Sequence, residues 1–211
     1  MRKYILFCFF SFLACKEGIP KRKSLELSID SAKNNQESTI GKLDSIDIIA
    51  LREDYDTGAI FLYNKDGTVW KKIEVEDNFS DSSISPFALK PEDRIMVFKV
   101  VKKTQDYYAI LVNEEKNIIK YIKPNNSYFI YETWQQHILK AFSVEFSPKT
   151  NPLRIKQFDN SKPLLFDKEQ FYHPVQINGD WLKVKDDNDK VGWVKWRNKK
   201  GEIIIQIYYE A

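Results

Sequence analysis

The sequence contains little glycine, histidine and cysteine, and each shortage excludes a class of site. Its seven glycines are never closer than nine positions apart, as at Gly58 and Gly67, which excludes the G-x-G-x-x-G and P-loop spacings of nucleotide-binding loops. The two histidines, His137 and His173, stand in no H-x-H or H-E-x-x-H pattern. Two cysteines alone supply neither a thiolate zinc site nor a disulfide scaffold. We therefore expect no metal site and no cofactor.

Patterns of catalytic residues are missing as well. No G-x-S-x-G nucleophile elbow occurs, and the chain after residue 150 has a single serine, Ser161. Carboxylates are abundant, but the sequence does not show which two would face each other across a cleft. The 33 basic and 30 acidic residues leave a net charge of +3, too balanced for a dedicated nucleic-acid-binding protein. We expect no catalytic residues, no enzyme activity and no nucleic-acid partner.

The N-terminal residues have the parts of a secretory signal. Arg2 and Lys3 precede an apolar run over residues 4–14. As a helix this run would span about 16 Å, too short for the roughly 30 Å hydrocarbon core of a bilayer. Residues 12–15, Phe-Leu-Ala-Cys, resemble the lipobox of bacterial lipoproteins, with Phe12 where that family usually has leucine. In that family a peptidase cuts before the cysteine, and the cysteine thiol carries the lipid.

The lipobox resemblance implies that residues 1–14 are a lipoprotein signal peptide and that Cys15 is the lipidation site. The alternative is an ordinary signal peptide that ends near a cysteine. Cleavage also removes Cys8, so Cys15 becomes the only thiol of an exported chain, and lipidation accounts for it. Residues 15–45 have too few apolar residues to fold alone and are predicted to be a flexible tether. We expect a protein held by Cys15 on the lipid bilayer of a bacterial membrane, in the periplasm or at the cell surface.

From residue 46 the chain alternates between short apolar runs and turn residues, a pattern typical of β-structure. The predicted strands are Ile46–Leu51, Ala59–Tyr63, Thr68–Val75, Arg94–Lys103, Tyr107–Asn113 and Asn117–Lys123. Apolar residues spaced by three and four between positions 130 and 142 predict an amphipathic helix of about fourteen residues, capped by Ser127. Residues 46–147 are thus predicted to be an N-terminal β-rich lobe that ends in a helix.

The C-terminal residues resemble a known bacterial domain. Residues 151–154 (Asn-Pro-Leu-Arg), 179–184 (Gly-Asp-Trp-Leu-Lys-Val) and 191–194 (Val-Gly-Trp-Val) resemble segments of the bacterial Src-homology-3-like domain. The strands expected here are Pro163–Phe166, His173–Ile177, Trp181–Lys185, Lys190–Trp196 and Glu202–Tyr208. The resemblance implies a small β-barrel over residues 148–211. The predicted fold class is therefore mostly β, all-β or α+β, with two small β lobes and one amphipathic helix between them.

The predicted strands Trp181–Lys185 and Lys190–Trp196 form a hairpin, which we call the last hairpin, and alternation along it separates an apolar face from an aromatic one. If Val194 lines the barrel, then Trp181, Trp193, Lys183 and Lys195 lie together on the outer face. Exposed aromatic residues are typical of binding surfaces, so these four are the candidate ligand-binding residues. Alternatively, both tryptophans pack against the N-terminal lobe and the helix, or a bulge turns one of them inward.

These observations favour one function over two others. Src-homology-3-like domains often bind peptides, commonly cell-wall peptides in bacteria, so we expect a non-catalytic module that binds a cell-wall peptide or an envelope protein. The second possibility is an inhibitor or immunity-type lipoprotein, which needs a large partner-shaped patch. The third is a hydrolase, which needs convergent titratable groups in a cleft. The sequence identifies neither the ligand nor the membrane face.

Overall fold

The computed structural model describes residues 47–209, and in this range the chain forms antiparallel sheets, one short α-helix and a 3-10 helix at Pro91–Asp93. The eight strands of the largest sheet are β1 (Asp47–Leu51), β2 (Ile60–Tyr63), β3 (Val69–Ile73), β4 (Ala88–Lys90), β5 (Ile95–Lys103), β6 (Tyr108–Asn113), β7 (Ile118–Ile122) and β8 (Phe129–Glu132). They are ordered β3-β2-β7-β6-β5-β1-β8, and β4 also pairs with β5. The predicted mostly-β class is confirmed. Cys15, the predicted signal peptide and the predicted tether lie outside the described residues.

Local sequence explains most of this sheet. In β2, Ile60 and Leu62 are fully buried, whereas Phe61 between them is 38% exposed, as period-two alternation requires. The turn after β2 is closed by a hydrogen bond of 2.8 Å from the Asn64 amide to the Thr68 carbonyl. Gly67 supplies the positive φ of +83° that this turn needs.

The central strands of the large sheet are buried on both faces. Ile49 of β1 and Phe98 of β5 belong to one buried cluster, on the side where β2 and β7 also contribute. Their neighbours Ile48 and Val97 point to the opposite side and belong to a second cluster. Alternate residues of the same strands therefore join two different cores.

The second core is completed by the C-terminal strands. These strands are β9 (Ser143–Glu145), β10 (Tyr172–Asn178), β11 (Trp181–Asp186), β12 (Val191–Lys195) and β13 (Gln206–Tyr208). They form a sheet ordered β10-β11-β12 and a ladder between β13 and β9, and neither is closed. Val184 and Trp196 share the second cluster with Ile48 and Val97, so this core takes residues from both sides of the predicted boundary at residue 148. The boundary and the division into lobes stay predictions.

The helix is shorter than predicted. Helix α1 covers only Trp134–Ile138, and residues 129–132 form strand β8 instead. Strand β8 pairs with the edge of β1, a long-range contact that the local apolar spacing does not encode. The cap is Thr133, not Ser127. Its hydroxyl accepts from the Gln136 amide, and the Gln136 side chain accepts from the Thr133 amide at 2.9 Å, which completes a capping box.

Three further segments differ from prediction. Strand β4 lies between residues 76 and 93, where the sequence predicts no strand. Residues 163–166 form only an isolated bridge between Pro163 and Arg154, and the last strand begins at Gln206 rather than at Glu202. The physical reason is pairing, because a short segment becomes a strand only where a partner edge is within hydrogen-bonding distance.

Candidate functional site

The predicted outer face of the last hairpin has the expected alternation. The register pairs Trp181 with Lys195 and Lys183 with Trp193, and all four side chains are half-buried. Neither tryptophan belongs to either core cluster. The Lys195 ammonium lies 5.2 Å from the centre of the Trp181 ring and 2.5 Å from a carboxylate oxygen of Asp159, so it already has partners within the chain. Ligand binding by these four residues stays a prediction.

The segments that carry the Src-homology-3-like resemblance pack directly on one another. A Cβ atom placed on Gly192 would lie 2.6 Å from Cδ1 of Leu153, so the glycine allows close approach. The side-chain amide of the buried Asn151 donates to the Lys195 carbonyl at 2.7 Å, and its oxygen accepts from the Lys195 amide at 3.0 Å. The Asn151 side chain thereby makes the two hydrogen bonds to the Lys195 backbone that a neighbouring strand would otherwise make with β12.

A groove lined by aromatic rings lies beside strands β9 and β13, and we call it the aromatic groove. Its volume is about 570 Å³. Phe166 and Tyr172 stack with ring centres 5.3 Å apart on one wall. Phe171 is 55% exposed and Tyr208 is 40% exposed, so part of this aromatic surface faces solvent. The aromatic lining residues are Phe142, Phe146, Phe166, Phe171, Tyr172, Tyr208 and Tyr209.

His173 holds the walls of the aromatic groove in place. Its Nδ1 lies 2.7 Å from the Phe142 carbonyl oxygen, and its Nε2 lies 3.0 Å from an Asp187 oxygen. The second Asp187 oxygen accepts from the Phe171 amide at 3.0 Å. Since both ring nitrogens face acceptors, both bonds form fully only when the imidazole is protonated.

The electrostatics agree with that geometry. The hydrogen bond that His173 donates to Asp187 raises the pKa of His173 above its ordinary 6.5 against the opposing effect of burial, and hydrogen bonds from the Phe171 amide and His173 lower the pKa of Asp187. A raised histidine pKa stabilises the fold fully below the unfolded value of 6.5 and loses that contribution as the pH rises through the folded value. The predicted strand that begins at His173 corresponds to β10, which begins one residue earlier, at Tyr172.

A second concavity, which we call the polar cavity, lies between α1 and the ends of β1, β5 and β8. Its volume is about 460 Å³. An Oε2 atom of Glu132 lies 3.2 Å from Nδ1 of His137, and Nε2 of His137 lies 2.8 Å from the Tyr209 hydroxyl. The Lys140 ammonium donates to the other oxygen of Glu132. Glu132 and His137 are both buried.

Burial and hydrogen bonding set the protonation of Glu132 and Tyr209. Burial and the negative charge of Glu132 raise the pKa of Tyr209, so its hydroxyl stays protonated. Because an ionised carboxylate only accepts hydrogen bonds, Nδ1–H of His137 donates to Glu132. Burial acts to raise the pKa of Glu132, but the hydrogen bonds from His137 and Lys140 outweigh it, and the pKa is lowered.

The apolar spacing places His137 in the predicted helix but indicates none of its partners. Its side chain is buried and hydrogen-bonded at both ring nitrogens. Tyr209 lies 72 positions away from it, and no local motif connects the two. In the turn after β11, Asp186 is buried and its side chain accepts from the amides of Asn188 and Lys190.

Comparison of the chain with protein-family models, with curated proteins and with solved structures finds no match. Within residues 47–209, no helix is both long enough and apolar enough to cross a membrane. In the same part of the chain, no three His, Cys, Asp or Glu side chains are grouped so that they could hold a metal ion. The functional interpretation therefore depends on the chemistry of the two concavities.

Proposed function

We propose that the protein is an exported lipoprotein, held on a bacterial membrane through Cys15, that binds an extended peptide segment of a cell-envelope component without catalysing a reaction. The aromatic groove is the site. The observation that carries this proposal is the exposed aromatic surface inside a concavity, at Phe171 and Tyr208.

The groove has the chemistry that extended peptides require. Aromatic rings supply large contact areas with few rotatable bonds, and aromatic-lined grooves recognise peptides whose backbone is already extended. The polar lining residues Glu145, Lys168 and Gln170 stand among these rings and offer both an acceptor and donors to a peptide backbone. This lining contains no histidine or cysteine, which favours binding over catalysis.

We also infer that residues 148–211 are related to Src-homology-3-like domains. The β11–β12 hairpin, the contact of Gly192 with Leu153 and the pairing of Asn151 with β12 involve the three segments that carry the resemblance. These contacts support the relationship because Leu153 and Asn151 pack on the β11–β12 hairpin from a distant part of the sequence.

A second candidate function is an inhibitor or immunity-type lipoprotein. The segment 155–165 exposes three large apolar side chains, with Ile155 48% exposed, Phe158 50% exposed and Leu165 81% exposed. Several large apolar side chains exposed on one surface segment are typical of protein–protein contacts. A partner that docks on this segment would not require the aromatic groove.

The two candidates are separated by a matched pair of phenylalanine variants. The wild-type protein is probed with an array of synthetic cell-wall stem peptides and envelope-protein segments. Phe171→Ala, inside the groove, is expected to weaken peptide binding about tenfold or more, as loss of an aromatic anchor does. Phe158→Ala is the control, since Phe158 is similarly exposed but lies outside the groove. No saturable binding, or equal weakening by both variants, contradicts the groove proposal, and loss at Phe158 alone favours the second candidate.

Membrane attachment has its own test. Cys15→Ala is expected to move the protein from the membrane fraction to the soluble exported fraction and to abolish metabolic labelling with palmitate. A matched control is Cys8→Ala, which alters the other cysteine of the chain within the predicted signal peptide. Labelling that persists in Cys15→Ala would show that Cys15 is not the lipidation site.

A further inference from the structure

We propose that the polar cavity is a separate binding site for a primary ammonium group on a short alkyl stem, which replaces the ammonium of Lys140 on the carboxylate of Glu132. This inference goes beyond peptide binding in the aromatic groove. The two concavities share Tyr209 in their linings, but the paired carboxylate lies in the polar cavity.

The first observation is the unequal burial of the ion pair. The Glu132 side chain is 6% exposed, whereas the side chain of Lys140 is 58% exposed. A buried carboxylate requires a cation or hydrogen-bond donors, because leaving it unpaired is costly. Here the cation comes from a mostly solvated lysine just after α1, which can rotate into water without disturbing either core.

The second observation is the charge that remains when Lys140 leaves. The acidic residues of the cavity lining are Glu53, Asp93 and Glu132, and its basic residues are Arg94 and Lys140. Asp93 is also 3.7 Å from the ammonium of Lys90 at the surface. With Asp93 paired to Lys90, removal of Lys140 leaves Glu53 and Glu132 against Arg94 in the lining, and the hydrogen bond from Nδ1–H of His137 still orients Glu132. A cation is therefore favoured over an anion.

The third observation is the shape of the cavity. Ala50, Ile95, Ile130 and Ala141 form an apolar lining next to the carboxylate. A volume of about 460 Å³ exceeds what an ammonium group needs, so there is space for several methylene groups along this lining. An amine on an alkyl stem fits both the apolar lining and the carboxylate.

The test titrates amines into the full chain and follows the ring signals of the two histidines by NMR. One arm uses Nα-acetyl-lysine methylamide, which presents a side-chain ammonium, and another uses alaninamide, which presents an α-ammonium. Butyrate is the anionic control. We expect saturable shifts of the His137 signals with Nα-acetyl-lysine methylamide, weaker binding of alaninamide, and no shift with butyrate. Tighter binding of alaninamide than of the lysine derivative would contradict a site for an ammonium on an alkyl stem.

Variants make the test decisive. Lys140→Gln removes the competing ammonium and is expected to tighten amine binding by about fivefold or more. Lys149→Gln, an exposed lysine outside the cavity lining, is expected to change nothing. Glu132→Gln should abolish binding, with its melting temperature measured in parallel. The proposal is overturned if Lys140→Gln leaves amine affinity unchanged or if butyrate binds as tightly. Phe171→Ala should leave amine binding intact, so a failure of the aromatic groove is distinguishable from a failure here.

Discussion

Replacing Gly192 by alanine would place a methyl group where β12 passes over Leu153. The new Cβ atom would lie 2.6 Å from Cδ1 and 2.7 Å from Cγ of Leu153, and 3.1 Å from Cδ1 of Leu164. Carbon atoms in contact prefer about 3.5–4.0 Å, so roughly 1 Å must be recovered by moving side chains. Leu153 is 1% exposed and has little space to move. Overpacking of this kind costs about 1–3 kcal/mol.

The assay is urea unfolding followed by circular dichroism. Gly192→Ala is expected to lower the free energy of unfolding by about 1–3 kcal/mol. Leu153→Ala alone should lower it by about 2–5 kcal/mol, because it leaves a cavity in a close-packed region. In the Leu153→Ala background the added methyl group has space, so Gly192→Ala should become nearly neutral. The two substitutions should therefore couple by about 1–3 kcal/mol.

Two results would contradict a steric clash between an alanine at position 192 and Leu153. The first is a Gly192→Ala variant within about 0.5 kcal/mol of the wild type, and the second is simple additivity in the double variant. Gly201→Ala serves as the control. Its φ is +81° and its added Cβ would have no atom within 4 Å, so its cost comes from the backbone alone. That cost should add independently to the cost of Leu153→Ala.

Three further predictions address the core, the boundary and the pH dependence. Trp196→Ala should lower the free energy of unfolding by about 3–5 kcal/mol, since Trp196 is 1% exposed. The double variant Trp181→Ala/Trp193→Ala should lower it by less. If the double variant has the lower melting temperature in a thermal melt, the outer tryptophans belong to the core. A fragment of residues 151–211 should not unfold cooperatively, because its core partners before residue 151 are absent, and a cooperative melt would contradict the shared core. His173→Gln should lower the melting temperature most near pH 5, below the ordinary histidine pKa of 6.5, because the charged imidazole stabilises the fold there. The effect should be smallest near pH 9. A decrease in melting temperature that does not change with pH would exclude the charged hydrogen bond.

The candidate sites were only partly predictable from the sequence. The outer face of the last hairpin followed from alternation, and its tryptophans are half-buried on the face away from the core. The aromatic groove did not follow, because Phe142 and Tyr208 become neighbours only through the pairing of β9 with β13, joined by a 3.0 Å hydrogen bond from the Phe142 amide. The polar cavity was also unpredicted, since Glu132 and Tyr209 meet through His137 and not through a motif.

Period-two alternation and turn residues act within a few positions, so they were enough to predict the mostly-β class and the positions of β2, β5, β6, β7, β11 and β12. The remaining elements depend on contacts between distant parts of the chain. Residues 129–132 are a strand because β1 has an unpaired edge, and this long-range pairing outweighs a local apolar spacing that suits a helix. The same long-range pairing brings Ile48 and Val97 into one core with Trp196, since a sheet buried on both faces must be covered by residues from distant parts of the chain.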